Sequence, residues 1–177
     1  MNNRKLPKFM IPFRRVLILL PALILMLAGA AALDGCAGRD NFASPTADWQ
    51  TFTGQMYYSG TRSVVGDVVV RRLGQSDFRL EFSSGPGFPL MRLSQSAIRS
   101  RAEGAFAHGS WQGGAEHAPK QLRSWLHLRD VFTALPGHDG SFRQGPWRAQ
   151  AHYTEGKLEQ LTISNSNGER FAFHFSR

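Results

Sequence analysis

From Trp49 onward the chain repeats with a period of two. In SDFRLEFS (76–83), Phe78, Leu80 and Phe82 alternate with Asp77, Arg79 and Glu81. Successive side chains of an extended strand point to opposite faces, so this pattern requires one buried and one wet face. The same alternation runs through WQTFTGQMYY (49–58) and RSVVGDVVVRR (62–72). In PWRAQAHYT (146–154), Trp147, Ala149, Ala151 and Tyr153 oppose Arg148, Gln150 and His152. KLEQLTISN (157–165) and ERFAFHFSR (169–177) close the series, with Phe171, Phe173 and Phe175 on one face. PLMRLS (89–94), AIRSRA (97–102) and GAFAHGSW (104–111) read as shorter strands. Between them stand the turn signals Ser59-Gly60, Gly74-Gln75, SSGPG, Glu103-Gly104, Gly113-Gly114, Glu155-Gly156 and SNG (166–168). Together they predict a meander of about nine antiparallel strands, each pairing with its neighbour in sequence.

One segment breaks the period. In APKQLRSWLHLRDVFTALPG (118–137), Leu122, Trp125, Leu126, Phe132 and Leu135 recur at helical spacing, with Arg129 and Asp130 outside that stripe. Pro119 suits a first helical turn and Pro136-Gly137 stops the helix. A helix of about 16 residues is roughly 24 Å long. The expected fold class is mainly β: a strongly curved antiparallel sheet, an incomplete β-barrel, capped by an α-helix. Its concave face would be apolar, which suits an apolar ligand.

The first 48 residues have another character. MNNRKLPKFMIPFRR is basic, and VLILLPALILMLAGAAAL (16–33) carries no charge. Arg4, Lys5, Lys8, Arg14 and Arg15 precede that run and Asp34 follows it, so half of the net +8 lies ahead of Cys36. The basic start, apolar run and small residues Gly29 to Ala32 are ordered as in a secretory signal. LDGC (33–36) resembles the lipobox of bacterial lipoproteins, with Asp34 where a small apolar residue is usual. That resemblance implies cleavage before Cys36 and lipid attachment to it. The charge ahead of the run keeps that end in the cytoplasm and exports the body. Ala37 rather than Asp follows the cysteine, which resembles the enteric pattern for outer-membrane delivery. The expected organisation is a signal peptide over 1–35, a lipidated Cys36 with a flexible tether over 36–48 (AGRDNFASPTAD after the cysteine), and a folded domain over 49–177.

Catalytic signatures are not found. Cys36 is the only cysteine, so neither an intrachain disulfide nor a CxxC zinc motif exists. His108, His117, His127, His138, His152 and His174 show no metal-ligand spacing. There is no GxSxG elbow, and SSGPGF lacks the lysine and following helix of a phosphate loop. Asp77 and Glu81 share a strand face with Arg79 between them, which neutralises the pair. The exported body retains only half the net charge, and its arginines are scattered rather than striped, unlike a nucleic-acid site. The expectation is no enzyme, no catalytic residue, no metal, no cofactor and no nucleic-acid partner. SSGPGFPLMRL (83–93) is Gly/Pro-rich yet carries Phe88, Leu90 and Met91. It reads either as an apolar finger that touches membrane or ligand, or as a turn whose apolar residues fold back into the core.

Taken in order, these segments resemble the LolA/LolB superfamily, and LolB-like outer-membrane lipoproteins in particular, over most of residues 49 to 177. The resemblance rests on the lipobox and tether, then FTGQMYY and VVGDVVVRR. DFRLEFSSGPGFPLMRLSQSAIRSRAEGAF comes next, then QLRSWLHL and WRAQAHYTEGKLEQLTISNSNGERFAFHF. The segment between Leu135 and Trp147 is short for that family. The resemblance implies an incomplete barrel whose apolar cavity receives the acyl chains of lipoproteins from a LolA-like periplasmic carrier. It implies a monomer held by its lipid anchor on the periplasmic face of the outer membrane. By position, Phe88, Pro89, Leu90 and Met91 would form the membrane or release loop. Phe78, Leu80, Phe82, Trp125, Phe132, Trp147, Tyr153, Phe171, Phe173 and Phe175 would line the cavity. The alternative is a structural or sensing lipoprotein of the same fold, with a filled core and a protein partner instead of lipid.

Overall fold

The computed structural model describes residues 42–85 and 87–176. The chain divides into two compact units, Met1–Asp40 and Asn41–Arg177, and the described sheet and helices belong to the second. The segment read as a signal peptide, Cys36 and the start of the segment read as a tether lie outside the described residues.

The strands are β1 (Gln50–Ser59), β2 (Ser63–Leu73), β3 (Asp77–Ser84), β4 (Phe88–Gln95), β5 (Ser100–Gly104), β6 (Gly109–Gly113), β7 (Gly140–Gln144), β8 (Trp147–Thr154), β9 (Lys157–Asn165) and β10 (Arg170–Phe175). They form one ten-stranded antiparallel sheet in the order β6-β5-β4-β3-β2-β1-β10-β9-β8-β7. The sheet is not closed, and β6 and β7 are its edges. Two meanders, β1 to β6 and β7 to β10, are joined by the β1–β10 ladder, where Gly54 faces Phe175 and Ser59 faces Arg170. The turns β1–β2, β3–β4, β5–β6, β7–β8 and β9–β10 share one rim, here the upper. The other turns and both chain ends of the sheet share the lower rim.

Between β6 and β7 lies a 14-residue helical segment, α1 (Lys120–Leu126) and α2 (Leu128–Thr133), interrupted at His127. Leu122 N–H bonds the Pro119 carbonyl at 2.9 Å, so the proline opens the first turn as its fixed φ favours. Leu122, Trp125, Leu126, Leu128, Val131 and Phe132 are all buried. The buried face is wider than the expected stripe, taking in Leu128 and Val131, because a concave sheet wraps a helix that a flat one would touch along a line.

The period-two reading holds along β3, β8 and β10, whose burial alternates residue by residue. Three local differences have physical reasons. Strand β7, GSFRQ, is invisible to the period-two pattern, because it offers one apolar residue, Phe142, and periodicity cannot show in one residue. The AIRSRA segment becomes strand only from Ser100, and Ile98 turns out to solvent at 77% exposure. GAFAHGSW splits into a 3-10 turn, Ala105–Ala107, and β6, with His108 at a left-handed φ of 54° between them. Phe42 is buried, and the Ala43 carbonyl accepts from Arg79 at 3.0 Å. The folded body thus reaches back into the segment read as tether. Glu81 is held by Arg71 of β2 at 2.8 Å, a partner that single-strand alternation cannot reveal.

A β-bulge interrupts β4. Met91 faces Phe82 and Pro89 faces Ser83, so Leu90 is the extra residue. Leu90 and Met91 are both buried, which a regular strand with one wet face does not allow for consecutive residues and a bulge permits. Gly104 sits against this bulge at φ 113°; a Cβ there would lie 2.7 Å from the Leu90 carbonyl oxygen. Only glycine lets β5 end in close contact with the bulged strand.

Candidate functional site

The inward faces of the sheet and the helical segment meet in one aromatic core with two centres. Around Trp125 of α1 gather Tyr58, Phe171 and Phe106, with ring centroids at 5.0, 5.0 and 5.4 Å. Phe82 stacks on Phe106 at 6.3 Å and Trp147 meets Phe171 at 5.8 Å. Around Phe132 of α2 gather Phe173, Phe78 and Phe52 at 5.4, 5.7 and 5.8 Å, and Phe175 packs on Phe52 and Phe173. Tilted and edge-to-face contacts dominate, as the ring quadrupole favours. The residues expected to line a cavity therefore sit together. Phe78, Leu80, Phe82, Trp125, Phe132, Trp147, Phe171, Phe173 and Phe175 are all buried in this cluster, and Tyr153 is half-buried at its lower edge. The rings among them pack against one another, so this part of the inner face is filled by the protein's own side chains.

The four residues expected in the release loop separate. Leu90 and Met91 are buried, Pro89 is half-buried, and Phe88 is 62% exposed at the tip of the β3–β4 hairpin. The tip lies beside the upper aromatic centre, since Gly104, next to the turn bearing Phe106, lies against the Pro89 and Leu90 carbonyls.

At the same rim a polar group ties the helical segment to the sheet. The Glu169 carboxylate accepts from Ser124 of α1 and from the Asn165 side-chain amide at 2.8 Å, and its charge acts on the Tyr58 phenol. Asn165 is held in turn by the Asn167 and Glu169 backbone N–H groups at 3.0 and 3.1 Å. Burial first, and then the neighbouring carboxylate, push the Tyr58 phenol up to about 12. A folded value above the ordinary 10 means the phenol's stabilisation is complete below pH 10 and drains away as pH rises towards 12. We expect a loss of about 1–2 kcal/mol across that window, less than the shift alone implies because solvent at the rim screens the pair. Urea midpoints of the parent and Tyr58→Phe, compared on either side of the window, measure it; parallel pH profiles would remove Tyr58 from this role.

The lower rim holds a hollow of about 350 Å³. Phe52, Leu135, Leu158 and Phe175 supply apolar wall, Tyr153 a phenol, and Arg72 and Lys157 positive charge. A bulge at His152/Tyr153 shapes this edge. Arg72 donates through Nε to Gln50 Oε1 at 2.8 Å and through Nη1 to the Phe132 carbonyl. Burial lowers its guanidinium's basicity.

His127 pairs with Asp130 at 3.5 Å, and His152 with Asp139 at 3.1 Å, both near the surface. Among the described residues no group of three His, Cys, Asp or Glu side chains could hold a metal ion.

Sequence reasoning missed Glu169, Ser124 and Asn165, which converge from the β9–β10 turn and α1 and carry no motif. It also missed Arg72 as an inward group. There the signal was present: Val68, Val70 and Arg72 share one parity of β2, so a cation follows two buried valines on the core side.

No protein-family model matches the chain, and no curated protein shows significant similarity to it.

Proposed function

We propose that this chain is an exported, lipid-anchored protein that takes acyl chains of lipoproteins between its aromatic sheet face and the α1–α2 segment. In this reading it receives them from a LolA-like carrier and releases them at the periplasmic face of the outer membrane. The observation that carries the reading is an unclosed sheet whose inner face is apolar, with two aromatic centres packed on a 14-residue helical segment. Beside that face stands a solvent-exposed phenylalanine, Phe88, on a hairpin tip. Transfer needs no catalytic group, since each buried CH₂ contributes about 0.8 kcal/mol.

Phe88 is the position that tests it. Leu90 is buried, so a charge there would report on folding. Phe88→Glu leaves the unfolding midpoint unchanged and lowers release of an acylated cargo from the full chain into vesicles by about ten-fold, the scale of one exposed aromatic's membrane contact. Undiminished release from Phe88→Glu would show that the tip has no part in it.

A second reading, a structural or sensing lipoprotein that binds a protein partner, draws on the mutual ring contacts of the nominated wall residues. Mass spectrometry of organic extracts from the purified full chain separates the two. Bound lipid favours the first, and lipid-free protein that also refuses added acyl cargo favours the second.

A further inference from the structure

We infer that the lower-rim hollow is a binding site for an anionic amphiphile, a carboxylate or phosphate monoester joined to an alkyl chain. The inference rests on the acyl-binding reading and adds a headgroup to it.

Three features of the hollow point the same way. Its apolar wall is built from Phe52, Leu135, Leu158 and Phe175, which belong to β1, the end of the helical connection, β9 and β10. Its charged lining is Arg72 and Lys157, with neither aspartate nor glutamate among the lining residues. Its position continues the lower aromatic centre, because Phe52 and Phe175 both pack on Phe132. An alkyl chain lying on these rings would place its head at Arg72.

Arg72 occupies an inward position of β2, so its charge is half-buried beside apolar side chains. The partners found for its fork are neutral, the Gln50 amide oxygen and the Phe132 carbonyl. A guanidinium in that setting gains most from an anion that reaches it, since charge-assisted hydrogen bonds are about twice as strong as neutral ones and low polarity strengthens them. The Tyr153 phenol, also part of the lining, adds a hydroxyl donor. Lys157, exposed at the start of β9, would attract the anion from the rim. A free anion would leave the apolar wall unused, and a neutral lipid would leave both cations unused.

The test titrates the isotope-labelled full chain, held in neutral maltoside micelles, with octanoate, octyl phosphate, octanol and inorganic phosphate. Amide signals of Gly137, Gly156 and Ser176, which line the hollow, are the readout. Octanoate and octyl phosphate are expected to shift them with apparent affinities about ten-fold or more above that of octanol. Inorganic phosphate leaves them in place. Lys157→Gln, a surface change that does not threaten folding, weakens the two amphiphilic anions about three- to ten-fold and leaves octanol unchanged. Octanol binding as tightly as octanoate, shifts confined to other regions, or saturation by inorganic phosphate alone would each overturn the inference. If the anions fail while a triacylated lipopeptide still binds, the headgroup site falls and the acyl-binding reading stands. If nothing binds, both fall.

Discussion

Phe132→Ala is expected to lower the unfolding free energy by about 3–5 kcal/mol. Phe132 is fully buried and sits at the hub of the lower aromatic centre, in ring contact with Phe52, Phe78, Phe173 and Phe175. These partners come from β1, β3 and β10, so they cannot collapse together into the space the ring leaves. The cost belongs at the upper end of large-to-small substitutions, because an unrelaxed cavity adds its own term to the lost transfer energy. Denaturant unfolding of parent and variant measures it. A change under about 1 kcal/mol would mean that α2 is not anchored on the sheet as described. The upper-centre counterpart, Trp125, makes its contacts through Tyr58, Phe106 and Phe171.

Gly54→Ala is expected to be nearly as damaging, at about 3 kcal/mol, although it adds one methyl group. A Cβ at Gly54 would lie 2.0 Å from the His174 carbonyl oxygen and 2.7 Å from the Phe175 Cα. Both are backbone atoms of β10, so no rotamer change relieves the clash. Relief requires β1 and β10 to separate, and that ladder is what joins the two meanders. Gly74→Ala serves as the comparison: its φ is 59°, and a Cβ there meets nothing within 4 Å. It should cost about 1 kcal/mol of backbone strain. Urea midpoints for the two variants would refute the clash if Gly54→Ala proved no worse than Gly74→Ala.

Both effects bear on how much could be read in advance. Which face of β3, β8 and β10 is buried was legible, because alternation over four or more residues has one physical cause. The aromatic residues so assigned, Phe78, Phe82, Trp147, Phe171 and Phe173, are in the core. The helix was legible from Leu122, Trp125, Leu126 and Phe132. The β4 bulge was not, since an extra residue in one strand is defined by the register of its partner. The loop reading of Phe88 to Met91 therefore divides, with Phe88 at the surface and Leu90 and Met91 inside. The Gly54 contact was equally hidden, as a glycine in a strand signals a close approach without naming what approaches.

The amino-acid sequence by itself determined a mainly β chain with one helical interruption, an aromatic inner face and no catalytic motif in its folded body. These are properties of short windows, where a side chain's neighbours along the chain decide its environment. Only the tertiary structure decided that β1 pairs with β10, that Glu169 of the β9–β10 turn meets Ser124 of α1, and that Arg72 sits beside Phe52 and Phe175 at the lower rim. Each brings together residues on different elements, far apart along the chain, and such pairings are set by the register and curvature of the whole sheet, which no local pattern encodes.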